Sequence, residues 1–252
     1  DFYSLTTTCT QIDIVNLFDG GFSTGHGFLR EPQSIQSYAA LAAIAIQSNQ
    51  NDQHGGQSIP NFDYGMALGV AKTFRKAYTN KLMEGVEDYL DTEDEKDTVL
   101  QVMAQAKEKT GHGPRLEIGA QEYDAAVAQA LCERYDIEPK RAARLVEVAR
   151  HRANRKADRD TYQAMEGFVH NLNTMHSRAG AQTPFSSINY GTDTSPEGRM
   201  VIRNILLATD AGLGHGETCI FPIHVFKVKE GVNYNEGDPN YDLFKLSCKV
   251  SA

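Results

Sequence analysis

Tryptophan is absent from the 252 residues, and cysteine occurs only four times, at Cys9, Cys132, Cys219 and Cys248. No two of these stand as CxxC or in another metal-ligand spacing, and four cysteines are too few for a disulfide scaffold of this length. That usage points to a reducing, cytoplasmic compartment in which any cysteine pairing is catalytic. Positive charge is also short: 25 Lys and Arg stand against 33 Asp and Glu, for a net charge of -8. Sequence-independent nucleic-acid binding needs a basic footprint and is excluded. Small anions are not, because helix N-termini and glycine turns bind phosphate locally. No apolar run approaches the roughly 18 residues that span a bilayer, and DFYSLTTTC has neither the basic start nor the apolar centre of a signal peptide. No membrane partner is therefore expected. The eight histidines form no HExxH or similar cluster, so no metal site is expected in this stretch. A G-x-S-x-G elbow is missing, and the glycine-rich GLGHGE lacks the lysine and Ser/Thr of a phosphate loop.

What is present is an alternation of helical patterns with short apolar runs, which predicts an α/β architecture. Thr6 to Ile14 is β-branched enough for a strand carrying Cys9 near its start, and Gly20 to Gly27 reads as a loop. Pro32 is placed to open a helix reaching about Gln47, and Phe62 to about Glu84 predicts another. Gln121 to Tyr135 and Pro139 to about Lys156 follow as helices, with Asp160 as the cap of a further one ending near Met175. The second of these is dense in Lys140, Arg141, Arg144, Arg150, Arg152, Arg155 and Lys156, either a solvated basic face or a nucleotide or partner contact. A short strand in SSINYG, a helix opened by Ser195 and Pro196, and a buried strand over Ile220 to Phe226 come next. Asp238 and Pro239 are placed to start a last helix, which carries Cys248. The organising stretch is AGLGHGETCIFPIHVF, where a glycine-rich turn delivers Cys219 to the start of an apolar run. From the residues alone Cys219 is either a small buried hydrophobe or a reactive thiol on a loop tip.

Four blocks in order, TTTCTQIDIVNLFDGGFSTGHGFLREPQSI, QSNQNDQHGGQSIPNFDYGMA, FVHNLNTMHSRAGAQTPFSSINYGTDTSPEGRM and IFPIHVFKVKEGVNYNEGDPNYDLFKL, closely resemble successive blocks of the anaerobic, class III ribonucleoside-triphosphate reductases, which are glycyl radical enzymes. The resemblance implies a ten-stranded α/β barrel of two half-barrels with a central finger loop, of which residues 1–252 are a fragment. It implies that the ATP-binding regulatory domain and the C-terminal glycyl radical domain, with its zinc site, lie outside this stretch. It implies a radical cysteine at Cys219, a first-strand cysteine at Cys9, and at Cys248 a cysteine found in a thioredoxin-linked subgroup rather than in formate-using members. The thiols of Cys9 and Cys248 are then expected close together around one cavity, with Cys219 facing them. Thr7, Thr8, His54, Asn189 and Glu217 are candidate substrate contacts. Each has a plain alternative as a strand threonine, a loop residue or a solvated carboxylate.

The chemistry implied is reduction of ribonucleoside triphosphates to 2′-deoxyribonucleoside triphosphates under anaerobic conditions. A thiyl radical takes the 3′-hydrogen, water leaves from C2′, and a dithiol supplies electrons. The cofactor implied is a glycyl radical generated by an iron-sulfur, S-adenosylmethionine-dependent activase. The partners implied are the ribonucleoside triphosphate, ATP and dNTP effectors, that activating enzyme, a thioredoxin-type reductant or formate, and a second copy in a homodimer. The alternative is a non-catalytic nucleotide-binding fragment or a decayed paralogue of the same barrel.

Overall fold

The computed structural model describes residues 9–53, 55–93, 95–116, 120–176 and 181–252. The chain divides into two compact units, one of residues 1–70 and 160–252, the other of 71–159.

The first unit is built on a four-stranded parallel sheet of β1 (Thr10–Gln11), β4 (Gln57–Ile59), β5 (Ser186–Tyr190) and β6 (Ile223–Phe226), in the order β1-β4-β5-β6. β2 (Phe22–Ser23), within the segment expected as a loop, pairs with β3 (Phe28–Leu29) just beyond it as a two-stranded antiparallel hairpin. Around the sheet stand α1 (Ile14–Phe18), α2 (Ile35–Asp52), α7 (Pro196–Ala211) and α8 (Tyr241–Val250). The start of α3 (Phe62–Leu90) and the end of α6 (Pro139–Thr174) join them.

Local sequence explains most of these boundaries. Ser34, not Pro32, caps α2, its hydroxyl accepting from Ser37 N–H. Alanines 39, 42, 43 and 45 let that helix lie flat on the core. Ser195 caps α7 through Gly198 N–H with Pro196 in the first turn. Gly212 ends α7 at φ 73°, where a Cβ would meet the carbonyl oxygen of Glu217 at 2.6 Å. Two expectations are corrected. The strand around Cys9 is only Thr10–Gln11, because the Asp13 carboxylate already caps α1 through Val15 and Asn16 N–H. The two helices expected before and after Asp160 are one, α6, since Ala153, Ala157, Thr161 and Ala164 continue a single buried stripe with no glycine or proline to break it. Asp160 is buried inside that helix, and no helix begins at it.

The two faces of the sheet differ. Alternation puts Gln57, Ile59, Ser186, Ile188 and Tyr190 on one buried face. That face is covered by α2, where Asn49 bonds Gln57, by α7, where Thr209 meets His224, and by α8, where Phe244 packs on Phe226 at 6.2 Å. The other face carries Gln11, Ser58, Ser187, Asn189, Ile223 and Val225. Ile223 and Val225 are 43% and 42% exposed, which corrects the expectation of a buried strand there. All-parallel sheets are ordinarily covered on both faces. Here one is open among the described residues.

The second unit is helical. α4 (Lys96–Thr110) and α5 (Gln121–Tyr135) pack together, alongside parts of α3 and α6. Arg150, read from sequence with the basic face of α6, is turned inward. Its guanidinium forks onto Asp124, donates to Arg115 O at 2.6 Å and lies over the rings of Phe74 and Tyr78. Among the described residues no helix is long and apolar enough to cross a membrane.

Candidate functional site

Register lines up three rows across the open face. The lowest lies one residue before the paired strands, with Cys9, Gly56 and Phe185 joined by the Thr10-to-Gly56 and Gln57-to-Phe185 backbone bonds and Phe221 brought beside Phe185 by ring contact. The middle row runs Gln11, Ser58, Ser187 and Ile223, and the upper holds Asn189 beside Val225. Thr10 faces α2, where its hydroxyl bonds Gln53, so Cys9 faces the open side and is exposed there. Phe185 packs edge-on against Phe221 at 5.2 Å and remains 54% exposed. Ser58, Ser187 and Asn189 are half-buried, and none of their side chains has a hydrogen-bond partner among the described residues.

Cys219 precedes by two residues Phe221, which stands at the β6 edge of the sheet, the opposite edge from Cys9. The glycine-rich turn before it is tight: Leu213 N–H reaches Glu217 O at 2.9 Å and Gly216 N–H reaches Leu213 O at 2.6 Å. Cys219 stands on the return arm of that turn. The two residues after it are held by one side chain from α6. Asn173 Oδ1 accepts from Ile220 N–H at 2.9 Å and Phe221 N–H at 3.0 Å, while Asn173 Nδ2 donates to Phe221 O. The amide thus pairs with Phe221 as a neighbouring strand would. Partial burial pushes the Cys219 thiol up from its ordinary value, which keeps it protonated. Glu217 is fully exposed, and hydrogen bonds from its own N–H and that of His215 hold its carboxyl below the usual range.

Cys248 is exposed in the last turn of α8, the helix that packs on the covered side beside β6. Cys9 and Phe221 thus stand at opposite edges of the amino end of the sheet, three strand spacings apart, about 14 Å in a flat sheet, and Cys219 precedes Phe221 by two residues. Thr7, Thr8 and His54 lie outside the described residues.

Three features near the face were not anticipated. Asp63, at the start of α3, is fully buried, and its Oδ2 collects the N–H groups of Gly191, Thr192 and Asp193 at 2.9 to 3.0 Å, fixing the chain as it leaves β5. Asn233 and Asn240 both donate to Gly191 O from the other side. On the covered face, His224 Nδ1 lies 2.9 Å from Tyr190 Oη, and Nε2 lies 3.1 Å from Thr209 Oγ1. The Thr209 hydroxyl proton goes to Ile205 O, so Thr209 accepts from Nε2–H and Tyr190 O–H donates to Nδ1. Burial pushes His224 down to about 4. The alternation in IHVF and SSINY signals which residues share a face. Which distant segments pair is not visible locally.

Beyond β1 a groove of about 690 Å³ is lined by Gln11, Asp13, Asn16, Ser48, Asn49 and Asp52 among others. Carboxylates and amides without a basic side chain make it a poor anion site.

The described residues thus define a mixed α/β protein built on a parallel sheet, covered by helices on one face and presenting a cysteine, hydroxyls and an amide on the other. A family model described as anaerobic ribonucleoside-triphosphate reductase matches residues 1–252, and the chain belongs to that family. It is 25% identical over 245 residues to the anaerobic ribonucleoside-triphosphate reductase of Escherichia coli (strain K12), covering 97% of this chain and 26% of that protein. It is 27% identical over 247 residues to the same-named protein of Enterobacteria phage T4, covering 98% of this chain and 31% of that one. The chain thus spans under a third of the length of these relatives.

Proposed function

We propose that this chain forms part of the catalytic barrel of an enzyme that reduces ribonucleoside triphosphates to 2′-deoxyribonucleoside triphosphates by thiyl radical chemistry. The observation that carries the reading is the open face: a parallel sheet that leaves Cys9, Ser58, Ser187 and Asn189 uncovered, in a chain whose whole length matches the reductase family. Strands from the remainder of a longer chain would pair with the free edges of β1 and β6 and close ten strands around that face. Curvature would then bring the two edges round toward a common interior. The regulatory and glycyl radical domains, the zinc site, the ATP and dNTP effectors, the radical-generating activase, the reductant and the second copy of a homodimer belong to that longer assembly.

In this reading Cys219 carries the thiyl and takes the 3′-hydrogen, and Cys9 with Cys248 supplies the two reducing electrons and becomes a disulfide. A thiol must keep its proton to give up a hydrogen atom, and the burial that pushes Cys219 up serves that need.

The test is anaerobic turnover and 3′-hydrogen exchange in the full-length enzyme carrying Cys9→Ser, Cys219→Ser or Cys248→Ser. The radical carrier is the position whose serine variant abolishes exchange. A reductant position retains exchange and loses multiple turnover with a thioredoxin-type dithiol, and formate-supported turnover would remove the dithiol step. Loss of exchange in none of the three would end the thiyl reading for this chain.

A further inference from the structure

Lys227 lies one residue beyond β6, and its N–H still pairs with Tyr190 O at 2.8 Å. Strand alternation therefore continues through it, and its side chain leaves on the open face, opposite to Phe226. The ammonium donates to Pro60 O at 2.5 Å, and Pro60 stands one residue beyond β4. To reach it the side chain crosses over β5 at the level of Asn189 and Gly191. A cation is thus fixed over the carboxyl end of the open face, the end at which parallel α/β sheets take ligands.

Toward the amino end, Ser58 and Ser187 are direct cross-strand neighbours, with Gln11 beyond Ser58 and Ile223 beyond Ser187. Four residues of strand separate the Cys9 row from the Pro60 level, about 13 Å at the usual rise. The floor between is made of neutral hydrogen-bonding groups, with an apolar wall of Ile223 and Val225 on one side. Neutral hydroxyls and an amide suit the hydroxyls of a sugar, and an ammonium with one bond to Pro60 O has N–H groups left for phosphate oxygens. Asp13, the carboxylate at the end of β1, is turned to the start of α1 and to Asn61 Nδ2, so it does not offset the cation.

We infer that Lys227, Ser58, Ser187 and Asn189 form the ribose-phosphate subsite for a ribonucleoside 5′-triphosphate. The phosphate chain lies against Lys227, the ribose hydroxyls lie over Ser58, Ser187 and Asn189, and the sugar sits between the cation and the Cys9 thiol. This rests on the reading of the chain as part of a ribonucleotide-reducing barrel.

The test uses the full-length protein with effector sites saturated, and CTP and cytidine as paired probes in equilibrium binding. Lys227→Met is expected to weaken CTP about tenfold, the loss of one charge-assisted contact, and to leave cytidine within about twofold. Its CTP affinity should also fall less steeply with salt than that of the wild type. Lys227→Arg should restore most of the CTP affinity. Ser58→Ala with Ser187→Ala should weaken CTP and cytidine alike. Unchanged CTP binding in Lys227→Met would overturn the assignment. So would equal loss of CTP and cytidine with a lowered unfolding midpoint, which would make Lys227 a clasp between β4 and β6. The two readings fail separately. A wild type that reduces CTP with no dependence on Lys227 removes the subsite alone, whereas Lys227-dependent CTP binding without any reduction removes the reductase reading and keeps the subsite.

Discussion

His224 should make the protein lose stability as the pH falls from about 6.5 to about 4. Its ring is locked neutral: Tyr190 O–H donates to Nδ1, and Nε2–H donates to Thr209, whose own proton is committed to Ile205 O. A second proton would sit on Nδ1 facing the Tyr190 oxygen, in a buried place with no carboxylate among the ring's bonded partners, and that desolvation pushes His224 down to about 4 from an ordinary 6.5. Between those values the unfolded chain binds the proton and the folded chain does not, so acid favours unfolding. At about 1.4 kcal/mol per pH unit the whole window is worth about 3 kcal/mol, and the part between pH 6.5 and 5 about 2 kcal/mol. Other groups titrate there too, so the measurement is a difference. Urea unfolding of the wild type and of His224→Gln is compared at pH 8 and pH 5, and the wild type should lose about 2 kcal/mol more. Equal losses, or an imidazole that NMR shows titrating near 6.5 in the folded protein, would refute the reasoning.

Asn173→Ala removes the amide that substitutes for a strand beside Phe221 and should cost about 1–3 kcal/mol by thermal unfolding. It should also speed alkylation of the Cys219 thiol, because the segment after that thiol loses its anchor, and an unchanged alkylation rate would contradict this. Asp63→Asn replaces a carboxylate that accepts three backbone N–H bonds at the exit of β5 and should destabilise by at least about 2 kcal/mol, with faster amide hydrogen exchange at Gly191, Thr192 and Asp193. A stable variant with protected amides would show that the turn holds itself.

Local chemistry made several boundaries of the fold legible. Ser195-Pro196 marks the start of α7, because capping is decided within four residues, whereas its end at Gly212 falls beyond the Leu207 expected from sequence. The same kind of reading misplaced a cap at Asp160, since a helix continues wherever its buried stripe does and nothing local ends it. In IFPIHVF the apolar content suggested burial, but alternation turns Ile223 and Val225 to the uncovered face. The candidate cysteines and Asn189 could be named in advance through family resemblance. Lys227, Ser58 and Ser187 could not, because their roles follow from the register of strands that lie far apart in the chain. Asn173 and Asp63 escaped for the same reason: each acts on a backbone segment brought to it only by the fold.

The strand order also sets a timetable for assembly. β4 finds its partner β5 only after residues 71–159 have been made, since Ile59 pairs with Ile188. The helical unit is complete before the strand that joins the sheet together exists. During synthesis it can form early, from contacts close in sequence, while β1 and β4 wait as a two-stranded template with an open edge. The docking of β5 and β6, which pairs strands far apart in the chain, is then the step expected to be slow. A change in residues 71–159 that delays that unit would prolong the interval in which the half-built sheet is exposed to other chains.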